Sequence, residues 1–563
     1  MRNFSEIQAS EYDLLIIGGG INGAGVARDA ALRGLRTILI EKNDFASGTT
    51  SWSTRLVHGG LRYLESFEFN LVRESLRERE ILLKTAPHLV QPIQLTIPIY
   101  EYGSRSYWEI KAGMILYDIL SYDKTLPSHR MLPKPKLKQL FRAVNPEQLT
   151  GGAQYYDGQA EHAERLCLEN VVSAQNAGAT MLNYVKVTQL HREGDRITHF
   201  SCRDELTGET FDVKASSKAV VINTSGPWVD KVCGLGQPDA IGTTRKIGGT
   251  KGSHIVIESF PGAPDTAFYV EAKADNRPFF IVPWLGLYLV GTTDLRYTGD
   301  LNQIKASDDE VDYLIAETNR IFPSARITRD DVKFTYSGVR PLPYAEGKKP
   351  GSITRSHILF DHAQEGVDNM ISLIGGKLTT FRQVGEEMVD AAYKKMGRKA
   401  PDCKTRKTPF PGAITATDPA TKAVVDKYGD RFSIRLIAHL FSIYGSKTIN
   451  VLSLTDENPD LAERIVSYRP DIKAQAVYAV QSEMAHTLVD ICRRRTTLCM
   501  HANYGYDALP SIVEALSRHC GWSQEECDRQ IAQYRTYVED NCQPDYAIAP
   551  AAVENAAVSA GVS

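Results

Sequence analysis

Short unbroken apolar runs punctuate the first part of the chain. Leu14-Leu15-Ile16-Ile17 shows no polar alternation, the pattern of a strand covered on both faces. Gly18-Gly19-Gly20 interrupts it. Ala24, Gly25, Ala27, Ala30 and Ala31 then recur through 22–33, predicting a helix with a small-residue packing face that ends at Gly34. A second apolar run at 37–40 closes on Glu41, so the first forty residues read as a βαβ unit. A further helix is expected over 70–85, stopping short of Pro87. Another fully buried strand is expected at 219–223. From 252 to 295 the texture changes to strands at 253–257, 279–284 and 287–291, continued at 334–339: an antiparallel sheet inserted into the unit that the βαβ segment opens. Residues 371–374 are apolar again, and Gly375 to Thr380 is expected to open a helix. The Lys- and Pro-rich stretch 396–411 reads as a linker, the chain to about 542 as mostly helical, and the Ala-rich 544–563 as disordered.

Composition narrows the function classes. A chain of 563 residues exceeds one compact core, so two or three domains are expected. A formal net charge of -3 with 24% charged residues carries no basic excess for nucleic acid. No apolar stretch approaches the roughly 18 residues of a membrane span. Residues 1–12, with Glu6 and Glu11, resemble neither a signal nor a transit peptide, so the protein is expected to stay where it is made and to meet a membrane only from its surface. The nine cysteines include no CxxC pair. Cys492, Cys499, His501, His519, Cys520 and Cys527 match no common zinc spacing and lie in helical-looking sequence, so no metal is expected.

Gly18-x-Gly20-x-x-Gly23 sits between strand and helix. Gly18 permits the tight turn, Gly20 lets the backbone approach a pyrophosphate, and Gly23 lets helix and strand pack closely. The helix N-terminus offers N–H groups to phosphate. Glu41, 18 residues after Gly23, can accept hydrogen bonds from the adenosine ribose. The fingerprint alone does not separate FAD from NAD.

The stretch 18–25, GGGINGAG, with His58-Gly59-Gly60-Leu61-Arg62-Tyr63-Leu64, closely resembles the FAD-dependent glycerol-3-phosphate dehydrogenases. So do Lys251-Gly252-Ser253-His254, Gly291-Thr292-Thr293-Asp294, Tyr336 to Pro341, Ile353-Thr354-Arg355, Gly375 to Thr380 and the Arg-Arg-Thr run within 485–498. The resemblance spans about 12–540. It implies an α/β, Rossmann-like FAD-binding domain of the D-amino-acid-oxidase type (1–75, 150–235, 350–395). It further implies an antiparallel-sheet substrate cap (76–149, 236–349) and a C-terminal helical domain (412–543). FAD would be held without a covalent bond, with Ser53, Thr54, His58, Gly226, Gly376, Lys377, Leu378 and Thr379 among its contacts. Arg55 stands where some relatives are expected to carry lysine.

The chemistry of such a reaction selects further residues. Arg62, Arg340 and Arg355 stand in otherwise neutral stretches, and a guanidinium fork matches the oxygens of a phosphate monoester. Arg340 is the best phosphate ligand, with Arg62, Tyr63, Arg355 and Lys377 beside it. A neutral histidine can take the hydroxyl proton, and His58 and His254 are the candidates, unranked, with Arg340 lowering the alkoxide's energy. The resemblance implies a membrane quinone as electron acceptor, reached from the inner face of the cytoplasmic membrane. Trp108, Ile110, Met114, Ile115 and Leu116, with Lys111 and Tyr107, Tyr117 and Tyr122, could form an interfacial surface or a core helix. Oxygen as acceptor, oxidation of amines or 2-hydroxy acids, and a flavin sensor without turnover are the competing readings. No calcium-loop pattern follows residue 400. The C-terminal helices could pair two subunits into a homodimer, bind another partner or cap the cofactor domain.

Overall fold

The computed structural model describes residues 2–547 apart from 243, 349 and 502. Among these residues the strands form two sheets, of nine and ten strands. The first is built on parallel pairing. Strand Glu11–Ile17 lies between Thr37–Ile40 and Thr210–Asn223, and the latter also pairs with Met370–Ile374. Helices Ile21–Leu32 and Ala163–Asn176 cover one face, and Phe381–Lys395 packs across Ile21–Leu32. Gly25 meets Phe381 there and Gly385 meets the Gly25 backbone, so the small-residue face permits the close crossing.

The second sheet centres on Thr250–Ile257, flanked by Leu287–Gly291 and Val332–Arg340, both antiparallel. It continues through Pro278–Trp284 and Ala267–Glu271 to Gln91–Tyr100 and Leu149–Gln159. The expected boundary at 150 assigned most of Leu149–Gln159 to the nucleotide-binding unit. Its hydrogen bonds to Gln91–Tyr100 place it in the second sheet instead.

The stretch 396–411 packs along the first domain rather than hanging free. Arg28 donates to Thr408 O at 2.7 Å and lies over the ring of buried Phe410, and Arg382 donates to Thr405. Helices from Pro419–Tyr428 to Gln524–Asn541 follow. The chain then returns to the second sheet, where Thr335 N–H donates to Cys542 O at 2.8 Å. Of the expected disordered tail, Asp545–Ala547 forms a single 3-10 turn whose Tyr546 hydroxyl donates to Arg329 O, and 548–563 lie outside the described residues.

Candidate functional site

A cavity of about 1090 Å³ runs between the sheets, lined from Ile17 near one end of the chain to Asn541 near the other. It is large by the standard of ligand pockets, which typically span roughly 300–1,000 Å³. Its floor is the glycine turn. Gly18, with φ +106°, and Gly23 pack so tightly that a Cβ on Gly23 would meet Gly18 O at 1.9 Å. Gly20 caps Ile21–Leu32 without a side chain. Glu41 accepts from Gly19 N–H at 2.7 Å and from Asn43 N–H at 2.9 Å, which fixes its carboxylate at the cavity wall. Asn22 Oδ1 and Trp228 Nε1 are buried at this wall without a protein partner. Buried polar atoms ordinarily find one, so these orphans fit a polar, extended ligand such as a dinucleotide.

The remaining expected cofactor positions fall as follows. Ser53, Thr54, His58, Gly226, Gly376, Lys377, Leu378 and Thr379 line the same cavity, and Gly23 lies beneath it. Gly375 and Gly376 take φ +84° and +96° and form a turn. The helix itself begins only at Phe381, after the motif rather than within it, since Gly375 and Gly376 take a backbone closed to α-helix. Thr379 Oγ1 accepts from His58 N–H at 3.1 Å and ties this turn to the His58 loop. Arg55 is a structural residue: it is buried on Glu164 at 2.6 and 2.7 Å.

At the other end lies a cluster of guanidiniums. Asp294 is wholly buried and meets Arg277 at 2.9 Å, Arg340 at 3.0 Å and Arg355 at 3.2 Å. Burial pushes the Asp294 carboxyl up, but Arg340, Arg277 and Arg355 outweigh it and hold the group well below the usual carboxylate range. Three cations against one anion leave an excess of two positive charges, with Arg340 and Arg355 on the cavity wall. Burial lowers Arg340 to about 10, with Asp294 opposing and Arg355 and Arg277 adding to the shift. Tyr63 also lines this end, under Lys377 Nζ at 4.2 Å from its ring centre. Burial brings Lys377 down to about 7 against the pull of Glu74 and Glu68. Arg62 stands apart, in an adjoining cavity of about 310 Å³ that shares Tyr63 and Arg355.

Both histidines line the main cavity. His254 shares Nε2 with Thr54 Oγ1 at 2.9 Å, while its buried Nδ1 has no partner. Burial, then Arg340 and Arg55, hold it well below its ordinary value, so the ring is neutral. His58 is also lowered by burial, with Asp157 opposing and Lys377 adding to the shift.

A profile described as "FAD dependent oxidoreductase" matches residues 13–382, and one described as "C-terminal domain of alpha-glycerophosphate oxidase" matches 403–527. The chain is 65% identical to a glycerol-3-phosphate dehydrogenase of Synechocystis sp., over 97% of this chain and all of that one. The chain belongs to the FAD-dependent glycerol-3-phosphate dehydrogenase family. It is also 32% identical to the aerobic glycerol-3-phosphate dehydrogenase of Staphylococcus haemolyticus, covering 95% of each. Its fold matches the Bacillus halodurans glycerol-3-phosphate dehydrogenase complexed with FAD, at TM-score 0.76 and 28% identity over 96% of both chains. The D-amino-acid-oxidase-type fold with an inserted sheet and a helical C-terminal domain is thus that of the family, and FAD is its cofactor.

Within this family frame, the sequence reading missed Asp294 and Arg277. Gly291-Thr292-Thr293-Asp294 carried a resemblance but no role, although an acid three residues after a buried strand is itself a signal. Arg277 had none, since it reaches Asp294 across a hairpin. Also missed were Thr487, Val489, Arg494, Gln533 and Tyr537, cavity walls contributed by the C-terminal domain.

The helix Tyr107–Leu120 divides its residues between core and surface. Ile110, Met114 and Tyr117 are core, whereas Trp108 (70% exposed), Ile115 and Ile119 face outward, as do Tyr122 just beyond the helix and Phe67. Among the described residues no helix is long and apolar enough to cross a membrane. His501 sits against Arg469 and His519 against Asp460.

Proposed function

We propose that the protein oxidises sn-glycerol 3-phosphate to dihydroxyacetone phosphate and passes the electrons to a membrane quinone. The observation that carries the substrate is the guanidinium cluster, whose two unbalanced positive charges open into the dinucleotide cavity. A phosphate monoester near neutral pH is close to a dianion and would complete it. Arg340 and Arg355 bind the phosphate, Arg277 and Asp294 hold them in place, Tyr63 and Lys377 complete the rim, and Arg62 adds positive charge from the adjoining cavity. Bound FAD would accept the hydride from C2.

His254 takes the C2 hydroxyl proton. Its ring is neutral, Thr54 orients it, and it stands two residues beyond Gly252, against which the Arg340 guanidinium packs, so both lie on one face of the sheet. His58 lies with Asp157 and Lys377 instead, on the cavity wall, where it would flank the cofactor. Glu41 would hold the adenosine ribose, and the turn at Gly18, Gly20 and Gly23 would take the pyrophosphate.

The outward apolar residues Trp108, Ile115, Ile119, Tyr122 and Phe67 would rest on the inner face of the cytoplasmic membrane, where the quinone is reached. One observation favours oxygen as acceptor instead: the C-terminal profile is named for an oxidase.

Anaerobic mixing with glycerol 3-phosphate tests the substrate. Rapid bleaching of the flavin absorbance is expected, absent with unphosphorylated glycerol. Bound flavin that does not bleach overturns the substrate. In the same assay His254→Gln slows bleaching by about 10²–10⁴-fold, the range of a lost general base. A larger loss in His58→Gln moves that role to His58. Aerobic turnover that yields hydrogen peroxide at the quinone-linked rate would favour oxygen.

A further inference from the structure

The C-terminal helical domain contributes three consecutive buried arginines to the first domain. They lie on one wide helical turn, Asp490–Arg495. Arg495 donates to both oxygens of Asp44, at 2.7 and 2.9 Å, and Arg494 donates to the same carboxylate at 2.6 Å. Arg493 reaches Ser51 O at 3.0 Å and Glu164 at 2.8 Å, where it meets Arg55. Asp44, Ser51 and Arg55 belong to one segment, 44–55, which follows Glu41 and forms the cavity wall through Ser47, Thr49, Thr50, Ser53 and Thr54. Its Ala46 and Arg55 have φ of 64° and 61°, conformations an unsupported loop with those side chains would rarely keep.

The same domain also closes the cavity directly. Arg494, Thr487, Gln533, Tyr537 and Asn541 line it together with Glu41, Lys42, Asn43 and Asp44, the end that carries the ribose carboxylate. Arg494 therefore touches the cavity while its other edge is held by Asp44 and Asp490.

We propose that the C-terminal helical domain is a lock on the adenosine half of the cofactor. Its arginine triplet pins residues 44–55 in their cofactor-holding shape, so FAD leaves only when this domain lifts away. By reciprocity, bound FAD tightens the docking of the domain. The pairs are charge-assisted and dry. Burial pushes Asp44 up, but Arg495 and Arg494 hold it well below the ordinary range, so the lock stays ionised at physiological pH. The proposal is independent of the substrate, since it concerns only the dinucleotide, and a failure of the glycerol 3-phosphate reading leaves it standing.

The test is the rate of FAD release from the holoenzyme on dilution, followed by the appearance of free-flavin fluorescence. Arg494→Lys and Arg495→Lys are expected to speed release at least about tenfold, because lysine keeps the charge but loses the fork that spans Asp44. Arg493→Lys acts in the same direction through Ser51 and Glu164. Arg518→Gln, on an exposed pair with Asp460, is the control that leaves release unchanged. Release within twofold of the parent in lysine variants of unaltered circular dichroism overturns the proposal. If those variants do not fold, hydrogen exchange of the unaltered protein decides: 486–500 is expected to exchange at least about tenfold more slowly with FAD bound than after its removal. Equal exchange in the two states overturns the lock.

Discussion

The arginines around Asp294 and those around Asp44 and Glu164 differ in how many carboxylates they meet. At Asp294 three guanidiniums share one acid. In the C-terminal junction Arg55, Arg493, Arg494 and Arg495 share Asp44, Glu164 and Asp490, leaving one charge in excess. Both clusters reach the cavity, but the first brings an excess of two charges to its wall, whereas the second directs its charge to a joint between two domains. Arginine density therefore says little about ligands. How far the cations outnumber the carboxylates separates a binding site from a joint.

The sharpest break of this comparison is a double dissociation. Arg340→Ala should lower kcat/KM for glycerol 3-phosphate by about 10³-fold, the scale of losing one partner of a desolvated charged contact. It should move unfolding in denaturant by less than about 1 kcal/mol, because Asp294 keeps two partners. Asp44→Asn should do the reverse in stability. It leaves the buried Arg495 without a carboxylate and Arg494 with Asp490 alone, at about 3–5 kcal/mol. If Arg340→Ala unfolds the protein as readily as Asp44→Asn, the two clusters are one kind of thing after all.

Smaller effects come from pH. Lys377 is brought by burial to about 7, so the substrate end loses a positive charge as pH rises through that value. The kcat/KM of the unaltered enzyme should fall by up to about tenfold per pH unit above it, and Lys377→Gln should flatten that limb. The junction is insensitive there. Burial raises Glu164, but Arg55 and Arg493 carry it down to about 2 from an ordinary 4.5. A depressed acid contributes stability that is fully present above 4.5 and is lost as pH falls toward 2. FAD retention should therefore be flat from pH 5 to 8, as fluorescence of the released flavin would report.

The smallest effect on chemistry belongs to the outer face. Replacing Trp108, Ile115 and Ile119 with serine should weaken co-sedimentation with vesicles by about tenfold or more, from about 1.5–3 kcal/mol per side chain buried. Dye-linked turnover should stay intact. Loss of folding instead would show that this face is covered in the protein's resting state.

Much of the fold was legible because its strands are buried on both faces. The apolar runs at 37–40 and 287–291 coincide with Thr37–Ile40 and Leu287–Gly291, and 22–33 is displaced by one residue from Ile21–Leu32. The strand Leu149–Gln159 escaped notice because its Thr-Gly-Gly-Ala-Gln-Tyr-Tyr-Asp-Gly core shows neither alternation nor an apolar run. The site's motifs stood out where glycine or arginine is chemically conspicuous. What stayed hidden were pairings across long separations, such as Arg277 with Asp294 over a hairpin and Arg495 with Asp44 across 451 positions. No local pattern encodes a partner that far away.

Gly18 and Asn541 wall the same cavity. At roughly 5–20 residues per second of synthesis, about half a minute to two minutes separate their making. Through that interval the nascent nucleotide-binding half emerges with one wall missing, so on the proposed lock stable capture of FAD should be a post-synthetic event. Supply of the flavin during translation would speed maturation little, whereas a ribosome that stalls late in the message would leave a nearly complete chain unable to keep its colour.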